Sequence, residues 1–199
     1  MRRRVRTAVP VAVPVGVGLS VAAALLLTGI ATDGSAPAAA GPPPAAGPPP
    51  TARFSENGVT VTLSVSGWQA AKGTGTLTAV FAPETAGFHL YSTALPPAGV
   101  EGVGRPTAVT VTGTLAADGP LTAAQAERTV RLPGVGAPVP VYPDGPVTTT
   151  LPLRASGSGS ATVLIGYASC STRDGCTIPV SDHPVRMRVT SEGPAFVTP

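Results

Sequence analysis

An all-β domain is what this sequence predicts, and three observations predict it. Val, Thr and Leu recur in short alternating runs, the period of a strand with one buried face. Gly and Pro, 24 of each among 199 residues, cluster between those runs as turn signals. No stretch shows the 3.6-residue apolar period of an amphipathic helix. Together Gly and Pro make up roughly a quarter of the chain, at the edge of the low-complexity range. Their uneven spread argues for one globular domain plus a disordered segment. A domain of about 140 residues is long enough to bury a core without many staples.

Taken in order, residues 1–7 are a cationic n-region with Arg2, Arg3, Arg4 and Arg6. Ala8 to Ala31 carry no charge, and a run of that length can span a bilayer, which takes about 20 apolar residues. Residues 1–32 are therefore read as a signal peptide or signal-anchor, with membrane anchoring through residues 8–31 as the retained form. Small residues near Ala31 and in the Ala38–Ala40 tract would suit a signal peptidase. No cysteine lies here for a lipid anchor. Residues 33–52 repeat Ala, Gly and Pro, with too few large apolar groups to offset the entropy of folding. They are expected to form a disordered, semi-rigid polyproline spacer.

The folded domain is expected over 53–191, with 192–199 as a C-terminal tail. Val59, Val61, Leu63 and Val65 alternate with Thr60, Thr62 and Ser64 as a first strand. Leu77, Ala79 and Phe81 repeat the pattern, and Pro83 ends it. Phe88–Tyr91 is a short apolar strand before a Pro/Gly-rich loop through Pro106. Val109 and Val111 start another. Residues 118–138 are poorly patterned, with a short helix expected around Thr122–Arg128. Val147–Leu153, Ala161–Tyr167 and Pro184–Thr190 complete the set, and Gly157–Ser160 is read as a hairpin loop between two of them. Seven or eight short strands with turns between them point to an immunoglobulin-like β-sandwich.

Charge excludes some functions. The formal net charge is +3, but four of the thirteen basic residues precede the apolar run. The remainder carries nine basic against ten acidic residues, a balance of −1. No nucleic acid is expected, because that needs a clustered basic face. The two histidines, His89 and His183, lie far apart and are read as core or surface residues, so no metal and no cofactor is expected. No GxSxG, HExxH, P-loop or dinucleotide fingerprint is present. Trp68 and Phe81 are read as core aromatics.

Chemistry concentrates on the two cysteines, Cys170 and Cys176, in the run Tyr167-Ala-Ser-Cys-Ser-Thr-Arg-Asp-Gly-Cys-Thr-Ile-Pro179. In an exported protein such a pair usually becomes a disulfide. Closing so short a ring stabilises by roughly 2 kcal/mol, and a purely structural staple is one reading. The other is a redox pair, since it lies at a strand end beside a Gly-containing turn where an attacking thiolate has access. Arg173 between the cysteines favours thiolate, and Asp174 opposes it.

This hairpin resembles the active-site hairpin of the N-terminal periplasmic domain of the thiol:disulfide interchange protein DsbD. Gly87-Phe-His-Leu-Tyr91 with Gly104-Arg-Pro-Thr107 looks like that family's early strand and loop, and Val139-Pro-Val-Tyr-Pro-Asp-Gly145 like its cap loop. The likeness spans roughly residues 53–190. It implies an immunoglobulin-like fold and a cysteine pair that relays electrons between thioredoxin-like partners. Carried over, Cys176 is the exchanging sulfur and Cys170 the resolving one. Tyr142 is the nearest match to a shielding cap aromatic, with Tyr91 and Tyr167 lining the site. The family's shielding position itself aligns with Val141, and Thr177-Ile178-Pro179 replaces an aromatic and a double proline. The family's multi-span and thioredoxin-like parts have no counterpart here, so the resemblance implies thioredoxin-like proteins or a membrane thiol reductant transporter acting in trans. The expected location is extracytoplasmic, secreted or anchored. The alternative function is a secreted or cell-surface binding module with a bracing disulfide.

Overall fold

Val59, Val61, Leu63 and Val65 are all buried, while the Thr and Ser residues between them are half-exposed. The alternation thus becomes the inner face of a sheet. A computed structural model describes residues 49–197. Its strands, in chain order, are β1 (Thr51–Glu56), β2 (Val59–Gln69), β3 (Thr74–Pro83), β4 (His89–Leu90), β5 (Ala108–Gly113), β6 (Leu115–Ala117), β7 (Thr122–Ala123) and β8 (Arg128–Val130). They continue with β9 (Val139–Val141), β10 (Val147–Ala155), β11 (Gly159–Tyr167), β12 (Ser169–Ser171), β13 (Gly175–Cys176), β14 (Val180–Thr190) and β15 (Gly193–Phe196).

The strands pair into two principal sheets. One runs β1-β2-β3-β10-β6, with β7 also on β10; the other runs β15-β14-β11-β5. Every ladder is antiparallel, and the inner faces meet in one core. Val61, Leu63, Leu77, Phe81 and Leu151 come from the first sheet, Val163, Ile165, Met187 and Val189 from the second. This is an immunoglobulin-like β-sandwich. Among the described residues there is no helix and none long and apolar enough to cross a membrane.

Four expectations differ from the structure. The short helix around Thr122–Arg128 is absent. Thr122 and Ala123 pair with Thr150 and Thr149 instead, and Arg128 belongs to β8. Sheet edges claimed a segment whose own pattern was neutral. Gly157–Ser160 is not a hairpin loop, because β10 and β11 lie in different sheets and the segment crosses between them. The expected tail contains β15, whose Pro194 is buried and which pairs with the end of β14. At the other end β1 begins at Thr51, inside the expected spacer. The signal or anchor segment and residues 33–48 of the spacer lie outside the described residues.

Phe81 is fully buried, its ring edge-on to Tyr167. Trp68 packs half-buried on the core rim with its Nε1 unpartnered. His183 stacks on Phe54, centroids 3.8 Å apart, and its Nδ1 lies 2.6 Å from Glu56 Oε2. That histidine ties β1 to β14 across the sheets.

The site is positioned by the long β11–β14 pair. Its register shifts by one residue between Ile165 and Tyr167, opposite Asp182 with φ of 56°. A bulge at such a place bends the strand and raises its twist. Beyond it the chain leaves the second sheet. β12 continues from β11, turns, and returns as β13 before β14. A separate small sheet, β13-β12-β4, forms there.

Candidate functional site

Cys170 and Cys176 stand directly opposite each other on β12 and β13. The Thr177 N–H donates to Ser169 O at 2.8 Å, which makes the neighbouring cysteine pair a non-hydrogen-bonded one, the closer kind. Their Cα atoms are 4.0 Å apart and the sulfurs form a disulfide. The turn between them is set by Ser171. Its hydroxyl donates to Asp174 Oδ2 at 2.9 Å and accepts from the Arg173 and Asp174 N–H groups.

Gly175 has φ of 87°, the left-handed region, with open space where a Cβ would stand. Its cost on substitution is therefore conformational and not steric. Gly175→Ala is expected to destabilise the oxidised protein by roughly 1–2 kcal/mol, read as a lower midpoint in denaturant. An unchanged midpoint would show that the turn tolerates a side chain there.

The two cysteines are unequal. Cys170 is 4% exposed and belongs to a second apolar cluster with Tyr91, Leu95, Val139, Val141 and Ala168. Cys176 is exposed on β13, the edge of the small sheet. The Tyr91 hydroxyl lies 3.1 Å from Cys170 Sγ and 3.8 Å from Cys176 Sγ. Disulfide sulfurs carry no proton, so the phenol O–H donates. Burial raises the Tyr91 pKa above its ordinary value, which keeps the phenol protonated and a donor.

Tyr91 is held from three sides. Thr107 Oγ1 donates to its carbonyl at 2.7 Å, and Val141 bridges it on the far edge. A Cβ at Gly104 would come within 2.8 Å of its ring, so only glycine lets that loop lie against the phenol. These partners fall in segments the sequence singled out, but their role as supports for Tyr91 had no signal in spacing or composition.

Behind Tyr91 sits His89, 2% exposed, paired in register with Cys170 and with its ring edge-on to the tyrosine. Its Nδ1 is 3.4 Å from Asp144 Oδ1, which Arg128 also pairs. Burial, and then the Arg128 charge, hold its pKa below the ordinary histidine value, while Asp144 pulls the other way. A neutral imidazole is the favoured state.

The structure thus brings Cys170, Cys176, Tyr91 and Val141 together, keeps Arg173 on the exposed turn between the cysteines, and places Tyr142 and Tyr167 elsewhere. Shielding by Tyr142 is corrected by strand alternation: Val141 and Tyr142 are adjacent on one extended segment and point to opposite faces. Val141 packs in the cluster that holds Cys170, whereas Tyr142 enters the main core. The Tyr142 hydroxyl meets the Thr93 N–H at 3.1 Å and Thr93 Oγ1 at 2.9 Å. Tyr167 likewise belongs to the main core, its hydroxyl donating to Glu56 O at 2.8 Å. Burial, then the Glu56 and Glu84 charges, push its pKa up. Arg173 is exposed on the turn, its guanidinium near Gly87. The expected cap loop, residues 139–145, is zipped to the β4 segment by the Ser92 N–H to Pro140 O, the Tyr142 N–H to Leu90 O and the Gly145 N–H to Phe88 O.

Fold and site together define a class: an immunoglobulin-like β-sandwich that extends two core strands into a hairpin closed by a half-buried disulfide. No family model matches the chain, and no curated protein matches it. Two solved structures similar to it are N-terminal domains of other proteins. One is the N-terminal periplasmic domain of ScsB from Proteus mirabilis, at 12% identity and TM-score 0.49, covering 75% of this chain and 54% of that one. The other is the N-terminal domain of DsbD from Neisseria meningitidis in its reduced form, at 14% identity and TM-score 0.38, covering 61% of this chain and 82% of that one. This chain therefore spans about half the length of the ScsB chain. Identities this low carry no residue roles across.

Proposed function

We propose that this protein is an extracytoplasmic thiol–disulfide exchange domain that relays electrons through Cys170 and Cys176 to and from thioredoxin-like partners. The observation that carries the reading is the asymmetry of the disulfide: one cysteine exposed, the other buried with its sulfur against a protonated phenol. The N-terminal apolar run and the disulfide support an extracytoplasmic setting. The hairpin resemblance supports thioredoxin-like proteins, or a membrane thiol reductant transporter, as partners.

The chemistry follows from access. A thiolate of a partner dithiol attacks Cys176 Sγ, forming a mixed disulfide while the Cys170–Cys176 bond breaks. Cys170 leaves as a thiolate, and the lower a leaving thiol's pKa, the faster it leaves. Burial alone would raise that pKa; the Tyr91 O–H offsets the penalty by donating to the developing charge. The partner's second thiol then attacks its own sulfur in the mixed disulfide and releases Cys176. Two electrons have passed to the cysteine pair, the partner is oxidised to a disulfide, and its two thiol protons are available to the new thiols. Run in reverse, the reduced pair reduces an oxidised client.

A second reading has one observation in its favour. Cys170 is part of an apolar cluster, as a brace for a binding module would be. Reduced thioredoxin separates the two: it should reduce the disulfide while the domain stays folded. Resistance under native conditions, with reduction only on unfolding, supports the brace.

A further inference from the structure

Ile178 is 74% exposed, the most exposed large apolar side chain among the described residues. A single exposed apolar residue is ordinary by itself; its place is not. It stands two positions past Cys176, in the 177–179 link between β13 and β14. The Thr177 N–H is fixed to Ser169 O at 2.8 Å, and Pro179 restricts the backbone on the other side. Ile178 is thus held two residues past Cys176, in the short link that follows the edge strand of the small sheet.

Resting on the exchange reading above, we propose that Ile178 is the apolar anchor on which a thioredoxin-like partner docks to form the mixed disulfide with Cys176. A disulfide brings the two Cβ atoms to about 3.5–4.5 Å. Any protein bonded to Cys176 must therefore lay its surface across the residues that flank it. Arg173 and Asp174, the exposed charges on the turn before Cys176, are of opposite sign. The apolar side chain offered there is Ile178. The chemistry fits a protein whose reactive cysteine lies in an apolar surround.

Reduction of the full chain by dithiothreitol and by reduced thioredoxin tests this, comparing wild type with Ile178→Ser and Ile178→Leu. Ile178→Ser is expected to lower the thioredoxin rate constant about tenfold, or ~1.4 kcal/mol, and to leave the dithiothreitol rate unchanged. Ile178→Leu should retain the wild-type rate with both. Equal thioredoxin rates for wild type and Ile178→Ser would overturn the anchor alone. So would an equal loss with both reductants, which would place the effect in the hairpin and not in docking. Wild-type protein that neither reagent reduces while folded would overturn the exchange reading itself, and the anchor with it.

Discussion

A Cys170→Ala variant is expected to accumulate mixed disulfides with thioredoxin-like proteins, and Cys176→Ala is expected to accumulate none. Each variant should lose turnover completely, since one sulfur cannot close the cycle. The difference between them is in trapping. In the wild type the mixed disulfide at Cys176 is resolved when Cys170 attacks it from across the β12–β13 ladder, where the two residues are register partners. With Cys170 gone the intermediate persists. The buried position of Cys170 leaves a macromolecular partner no line of approach to it, so Cys176→Ala keeps a thiol that only small reagents reach. Losing the cross-link costs both variants roughly 2 kcal/mol, so folding is checked by thermal denaturation alongside the trap. Complexes formed only with Cys176→Ala would reverse the roles.

Tyr91→Phe is expected to slow exchange by roughly tenfold or more, because a hydrogen bond to a charged group contributes roughly 1.5–3 kcal/mol. The substitution removes one oxygen and keeps the ring that packs against Gly104 and Val141. Two readouts separate a chemical role from a packing one. In the reduced protein the Cys170 thiol should titrate about one unit higher, equivalent to ~1.4 kcal/mol, as followed by thiolate absorbance. The oxidised protein should lose little stability, since the hydroxyl there faces weakly accepting sulfurs. An unchanged thiol pKa with a normal exchange rate would show that the phenol only fills space.

Much of the sandwich was legible in the sequence, because period-2 alternation reports directly which side chains must be buried. Val59–Val65, Leu77–Phe81, Ala161–Tyr167 and Val185–Val189 became inner faces of the two sheets. The failures share a cause. Residues 118–138 carry little pattern of their own, and what they become is decided by free edges of β10 and β9 that no local signal reveals. Gly157–Ser160 has a hairpin's composition, but composition cannot tell a return within one sheet from a crossing to another.

The site was legible in part for similar reasons. The cysteines announce themselves by residue type, and the pairing across a Gly-containing turn follows from their spacing. Which aromatic meets the sulfurs does not. Tyr91, Tyr142 and Tyr167 are equally near in pattern, and strand parity sends one to the disulfide and two to the core. His89, read as a core or surface residue, is buried as a core residue is; only the register of β4 on β12 sets it opposite Cys170.

The reduction potential of the folded protein, titrated against dithiol buffers with secondary structure monitored throughout, tests the exchange account most directly. The account predicts a potential in the range of exchange proteins, roughly −120 to −270 mV, with the β-sheet signal intact in both states. A potential below about −300 mV, the range of structural disulfides, would contradict it, as would reduction that proceeds only as the sandwich unfolds.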